Sequence, residues 1–125
     1  MYISGGSLVD LMVDALPKAN LPYDRVRMFL CDERVVPYSD ELSNCGQYFR
    51  KVIPKVEGLT VQHFATIDPS LPIESCAAAY EKTLVDTFGG SDRNPMSLKF
   101  NLLLLGIGCD GHTCSLFPRS EALRV

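Results

Sequence analysis

Asp110 and His112 stand two residues apart just beyond the apolar run Phe100-Asn101-Leu102-Leu103-Leu104-Leu105, inside Gly106-Ile107-Gly108-Cys109-Asp110-Gly111-His112-Thr113. An imidazole titrates near neutrality, so His112 is a candidate general base and Asp110 a carboxylate placed to orient it. Gly106 and Gly108 can accept positive φ and let a ligand approach the main chain. The N–H groups from Gly106 to Gly111 are candidate donors to a developing oxyanion. A lone histidine is more often structural than catalytic. The nearby carboxylate and the position at a strand end raise His112 above that expectation.

Two further clusters share this pattern of polar residues after a short apolar stretch. Ser4-Gly5-Gly6-Ser7 precedes a helical repeat, so Gly5, Gly6 and Ser7 offer N–H and hydroxyl donors where the helix field favours a phosphate. A tight turn with Ser7 as N-cap accounts equally for those residues. Asp32-Glu33-Arg34 follows the apolar Met28-Phe29-Leu30-Cys31. A solvated charge run is the plain interpretation. At a sheet edge, however, Asp32 can accept from substrate hydroxyls and Arg34 can present its donor fork to phosphate, with Glu33 organising the loop. Gly106-Ile107-Gly108-Cys109-Asp110-Gly111 also fits the spacing of a dinucleotide fingerprint. The Pro118 that soon follows and the want of a later acidic ribose contact argue against that use. No Gly-Lys-Ser/Thr follows the first glycine pair, which disfavours nucleoside triphosphate chemistry.

The elements that must carry these loops alternate. Residues 1–3 read as a short strand and residues 8–16 as a helix with Leu8, Leu11, Met12, Ala15 and Leu16 inward, closed by Pro17. Residues 25–31 read as a strand, and residues 41–52 as a helix facing inward through Leu42, Cys45, Phe49 and Val52. A strand over 59–65 and a helix over 72–88 follow, the helix packing through Ile73, Cys76, Ala77, Tyr80, Leu84 and Phe88 and ending at Gly89-Gly90. A polar loop through Pro95 leads to the last strand, whose leucines predict burial on both faces. Strand–helix alternation predicts an α/β fold, a three-layer α/β/α arrangement with a mainly parallel sheet, truncated at both ends.

With 46% hydrophobic and 22% charged residues in 125 positions, the composition is that of one soluble domain. The 12 basic and 15 acidic side chains include no basic stripe, so nucleic acid is not an expected partner. No run approaches the ~18 apolar residues of a membrane span, which makes cytoplasm the expected location. The five cysteines, 31, 45, 76, 109 and 114, are odd in number and lack a Cys-x-x-Cys pair or a ligand cluster. Reduced thiols are expected, and no metal site.

Taken together, Ser4-Gly5-Gly6-Ser7, Cys31-Asp32-Glu33-Arg34-Val35-Val36-Pro37, Ser43-Asn44 and the block from Leu105 to Pro118 resemble the 6-phosphogluconolactonases, within the wider family that includes glucosamine-6-phosphate deaminases or isomerases. The deaminase pattern is similar but has Asp-Glu-Tyr in place of Asp32-Glu33-Arg34, and Asp-Gly-His-Ile-Ala-Phe-Asn in place of the stretch from Asp110 to Leu116. Lactone hydrolysis is thus the implied reaction, with 6-phospho-D-glucono-1,5-lactone as the small-molecule partner and no cofactor. The resemblance implies phosphate contacts from Gly5, Gly6, Ser7 and Arg34, loop-ordering or sugar-hydroxyl roles for Asp32, Ser43 and Asn44, and a base at His112. Members extend beyond both ends of this chain, so residues 1–125 are expected to be a partial domain of unknown oligomeric state. Amino-sugar proton transfer and a catalytically silent phosphosugar-binding or structural fragment are the alternatives.

Overall fold

Alternation along the strands sorts the apolar residues onto two faces of one sheet. The computed structural model describes residues 1–88 and 98–124. Four short strands, β1 (Tyr2–Ile3), β2 (Met28–Leu30), β3 (Phe64–Ala65) and β4 (Leu103–Leu104), pair in parallel in the order β3-β2-β1-β4. Ile3 lies beside Leu30 and Leu104, and Tyr2 beside Phe29 and Leu103. The first row joins a core with Val9, Met12 and Leu16 of helix α1 (Ser7–Ala19) and Cys45 and Tyr48 of helix α2 (Asn44–Lys51). The second row meets Phe100 and helix α3 (Ile73–Phe88) on the other face. Tyr2 stacks on Phe100 at 4.5 Å, and Phe29 lies 5.2 Å from Phe88. The α/β/α layering is therefore present.

Several expected details change. The inward stripe of α1 is Val9, Met12 and Leu16, with Leu11 66% exposed, and the helix runs through Pro17 before stopping at Asn20 with φ 45°. Its N-cap is Gly6, at φ 64°, rather than Ser7. Val9 and Leu11 flank the Met12–Leu16 row on opposite sides, and the helix packs with its Val9 side inward. Leu42 precedes α2 and is exposed, whereas Tyr48, which the repeat did not single out, is fully buried with its hydroxyl donating 2.8 Å to Ser4 O. Within residues 59–65, Val61–His63 forms a 3-10 turn because His63 Nδ1 accepts from Thr60 N at 3.0 Å, and only Phe64–Ala65 extends. The expected helix end at Gly89-Gly90 and the loop through Pro95 lie outside the described residues.

The largest correction concerns the leucine run. Among the described residues β4 is an edge strand, and Leu102, Leu103 and Leu105 are 44%, 52% and 43% exposed rather than buried on both faces. Helix α3 lies over β2 and β3, where Ile73, Cys76, Ala77 and Tyr80 line a cavity with Leu30 and Ala65, so it leaves β4 uncovered. Of the expected inward face of α3, only Cys76 is fully buried.

Candidate active site

Strand order decides where the loops meet. The chain runs from β1 outward through β2 to β3, then crosses back to place β4 on the other side of β1. Loops at the carboxyl ends of strands flanking such a reversal enclose a crevice, the usual ligand position in open parallel sheets. Here a cavity of ≈ 140 Å³ is lined by Ser4, Gly5, Gly6 and Ser7 after β1, Asp32 and Arg34 after β2, Asn44 at the start of α2, and Gly106, Ile107, Gly108, His112 and Cys114 after β4. The three clusters, remote in sequence, share one site.

The floor is the turn after β1. Ser4 is buried; its N donates 3.1 Å to Leu104 O, and its Oγ accepts from Gly106 N at 2.8 Å. The β1 and β4 loops are thereby joined. Gly6 takes its φ of 64° where no Cβ strain arises, and no side chain caps the first turn of α1. Val9 N donates 3.1 Å to Gly6 O, and the N–H groups of Ser7 and Leu8 would face an anion beside the cavity. A Cβ on Gly5 would sit 1.9 Å from Asn44 Oδ1, so glycine is needed for α2 to approach the turn.

The second wall is a polar lattice. Asn44 Nδ2 donates to Asp32 O at 3.0 Å and Asp32 Oδ1 at 3.2 Å, while Ser115 Oγ donates to Asp32 Oδ2 at 2.6 Å. Arg34 Nη1 lies 3.3 Å from the same Oδ2, with its side chain 46% exposed. Asp32 therefore holds the loop together as well as facing the cavity. Ser43 is buried outside the lining: its Oγ accepts from Gly46 N at 2.9 Å as the N-cap of α2 and donates to Glu33 at 3.2 Å. Its geometry is that of loop order rather than sugar contact. Glu33 turns away from the cavity, as a loop organiser, and accepts from the main chain of Asn44 and Cys45 at 2.6 and 2.7 Å. Burial, reinforced by the Glu33 carboxylate, pushes the Cys45 thiol up to about 12.

The third wall carries His112, the candidate base. Asp110 Oδ1 lies 2.5 Å from His112 Nδ1 and accepts from His112 N at 3.1 Å. A carboxylate at Nδ1 favours a proton there and leaves Nε2 as the basic lone pair. The hydrogen bond from the imidazole holds the Asp110 carboxyl below its ordinary range. Phe117 lies against the ring at 4.6 Å. Gly108 N donates 2.8 Å to His112 O, and a Cβ on Gly108 would fall 2.1 Å from His112 Cε1. Gly111, at φ 89°, and Asp110 shape this loop without lining the cavity.

Two residues beyond the expected set matter to the geometry, Ser4 and Ser115. Ser4 belongs to the glycine turn and carried a local signal. The contact of Ser115 with Asp32 crosses 83 positions, which no local pattern encodes.

A profile described as glucosamine-6-phosphate isomerases/6-phosphogluconolactonase matches residues 1–125. The chain belongs to that family. It is 41% identical over 127 residues to 6-phosphogluconolactonase of Rattus norvegicus, covering 98% of this chain and 48% of the rat protein. It is also 41% identical over 123 residues to the probable 6-phosphogluconolactonase of Drosophila melanogaster, covering 96% and 46%. Its fold is similar to crystalline 6-phosphogluconolactonase of Thermotoga maritima, with a TM-score of 0.76 at 27% identity over 94% of this chain and 49% of that one. The enzyme of Leishmania guyanensis aligns with a TM-score of 0.73 at 27% identity over 96% and 52%. The chain spans about half the length of these relatives. Among the described residues, no helix of this family member is long and apolar enough to cross a membrane.

Proposed function

We propose that this chain carries the lactone-hydrolysing site of a 6-phosphogluconolactonase, converting 6-phospho-D-glucono-1,5-lactone to 6-phospho-D-gluconate. The observation that carries this reading is the Asp110–His112 pair opening onto the same cavity as the uncapped start of α1 and Arg34. A base and an anion cradle on one crevice suit a neutral ester at one end of a substrate and a phosphate at the other. Names of relatives support the same chemistry. We read residues 1–125 as part of one such domain, acting in the cytoplasm in the pentose phosphate pathway. Its five unpaired thiols accord with a reducing compartment.

In this mechanism Gly5, Gly6, Ser7 and Arg34 bind the phosphate and Asp32 and Asn44 face the sugar hydroxyls. His112 Nε2 removes a proton from water as the water oxygen bonds to the lactone carbonyl carbon, and the carbonyl oxygen takes up negative charge. Of the main-chain N–H groups from Gly106 to Gly111, those of Gly106, Gly108 and Gly111 are already given to Ser4, His112 and Gly108, so Ile107, Cys109 and Asp110 are the donors left to meet that charge. Collapse re-forms the carbonyl and breaks the bond to the ring oxygen, which receives the proton from His112. Asp110 keeps the imidazole in its Nδ1–H tautomer and offsets its transient positive charge.

The test is lactone hydrolysis by the 125-residue chain above the spontaneous background, with ammonia release from glucosamine 6-phosphate measured in parallel. His112→Asn should lower turnover by about 100-fold or more while 6-phosphogluconate binding persists. Ammonia release would favour the isomerase branch. Binding with background turnover only would leave a phosphosugar-binding fragment, and unchanged turnover in H112N would remove His112 from the mechanism.

A further inference from the structure

The Glu33 carboxylate takes four donors from two stretches of chain, Arg34 and Ser43 to Cys45, and none from the cavity. Its Oε1 accepts from Arg34 N at 2.8 Å and Asn44 N at 2.6 Å, and its Oε2 accepts from Cys45 N at 2.7 Å and Ser43 Oγ at 3.2 Å. Each oxygen thus meets two donors. Only an acceptor-only group satisfies all four, because an amide would turn its NH₂ either toward the N–H groups of Arg34 and Asn44 or toward Cys45 N–H and the Ser43 hydroxyl, and of these only the hydroxyl can accept. Negative charge at the start of α2 is also favoured by the helix field.

What this clamp holds is Asn44. From its fixed main chain the Asn44 side chain donates twice to Asp32, and its Oδ1 lies against Gly5, where even a methyl group would intrude to 1.9 Å. Asn44 therefore spans the glycine turn and the Asp32–Arg34 loop, the two walls that face phosphate and sugar. Arg34 begins at an N–H held by the same carboxylate.

We infer that Glu33 is a positioning residue which sets, through Asn44, the separation between the glycine turn after β1 and the Asp32–Arg34 loop, and so the fit of a phosphosugar. This rests on the phosphosugar reading above for its ligand, while the positioning itself is a property of the unliganded chain. Glu33→Gln keeps the shape and, even with its NH₂ turned to the Ser43 hydroxyl, loses the Cys45 N–H bond. Glu33→Asp keeps the acceptor-only carboxylate on a shorter stem.

The experiment uses the full chain, with 6-phosphogluconate affinity read by calorimetry and amide positions by NMR. E33Q should weaken binding about tenfold, as should Asn44→Ala, and the double variant should lose little beyond N44A alone because the two act through one contact. E33D should bind better than E33Q although Gln is the closer match in size. Val52→Ala, a cavity in the core beyond α2, serves as a variant of comparable thermal destabilisation and should hold affinity within about twofold. Equal losses in V52A and E33Q, or additive losses in E33Q and N44A, would overturn the inference in favour of general destabilisation. Should the parent chain fail to bind 6-phosphogluconate, the phosphosugar reading falls and the positioning role is judged on the free protein. There E33Q, or E33D if E33Q does not fold, must shift the Gly5 and Gly6 amides and the Asn44 side-chain amide. A shift confined to the Asn44 and Cys45 main-chain amides would end the proposal.

Discussion

The two walls of the cavity are built in different ways. The Asp32–Asn44 wall grows from β2, a strand buried on every residue, and is fastened to α2 through Glu33, Ser43 and Asn44, the last two buried themselves. The His112 wall grows from an edge strand. Its loop is tied to the rest of the molecule by Ser4 beneath Gly106, by Ser115 on Asp32 and by the Cys114 thiol against Cys31, while other bonds, such as Gly111 N to Gly108 O at 3.0 Å, are internal. The geometry of the Asp32–Asn44 wall is thus set by the core, and the position of His112 by a few polar contacts. A site divided in this way should lose stability when one wall is disturbed and turnover when the other is.

Paired glycine substitutions test that division most severely. A Cβ on Gly46 would lie 2.0 Å from Tyr38 O, a main-chain atom fixed by Arg50 and unable to step aside. Gly46→Ala should cost about 3 kcal/mol of stability, visible as a large fall in thermal midpoint. Gly108→Ala should leave the midpoint nearly unchanged, because its clash is with the movable His112 ring, yet reduce lactone turnover about 100-fold by displacing the base. A large midpoint loss in G108A would show that the β4 loop belongs to the cooperative core after all.

A smaller effect is expected at the tie between the walls. Ser115→Ala removes the 2.6 Å bond to Asp32 and frees the distal half of the β4 loop. Turnover should fall about tenfold, with 6-phosphogluconate affinity altered much less, since Asn44 and Arg34 still hold Asp32. An equal loss in both quantities would mean that the two walls move as one.

The mildest test is a titration. The Asp110 carboxyl is held below its ordinary range by the hydrogen bond from His112. Because the folded form binds its proton less readily than the unfolded chain, the contact supports the folded loop above the ordinary carboxylate pKa and is lost as pH falls through the lowered one. Carboxyl NMR should follow Asp110 titrating below a free aspartate, and His112→Ala should return it upward. An unshifted Asp110 in the parent chain would remove the orienting role from this carboxylate.

How much of this was legible beforehand follows the range of the interactions. The glycine turn, the Asp32–Arg34 cluster and the Asp110–His112 pair could be picked out because each lies within a few residues of a strand end, and strand–helix alternation implies a parallel sheet that gathers such ends on one edge. Residue type alone also separates acceptor from base. The facing of α1 was harder to see, because Val9 and Leu11 flank the Met12–Leu16 row on opposite sides and only packing in the folded chain decides which of them is buried. Four leucines in a row look the same in a central strand as in an edge strand, so only the crossing of the chain beyond β1 decided that Leu103 would be exposed.

The sequence by itself therefore determined which groups could do chemistry and that strand ends would carry them, since those properties reside in single residues and local periodicity. Tertiary structure alone decided that Ser4 would hold Gly106, that Ser115 would reach Asp32, and that Ser43 would cap a helix beside the cavity instead of lining it. Such contacts join residues as many as 102 positions apart. Their geometry comes from the packing of whole strands and helices, which no short stretch of chain specifies.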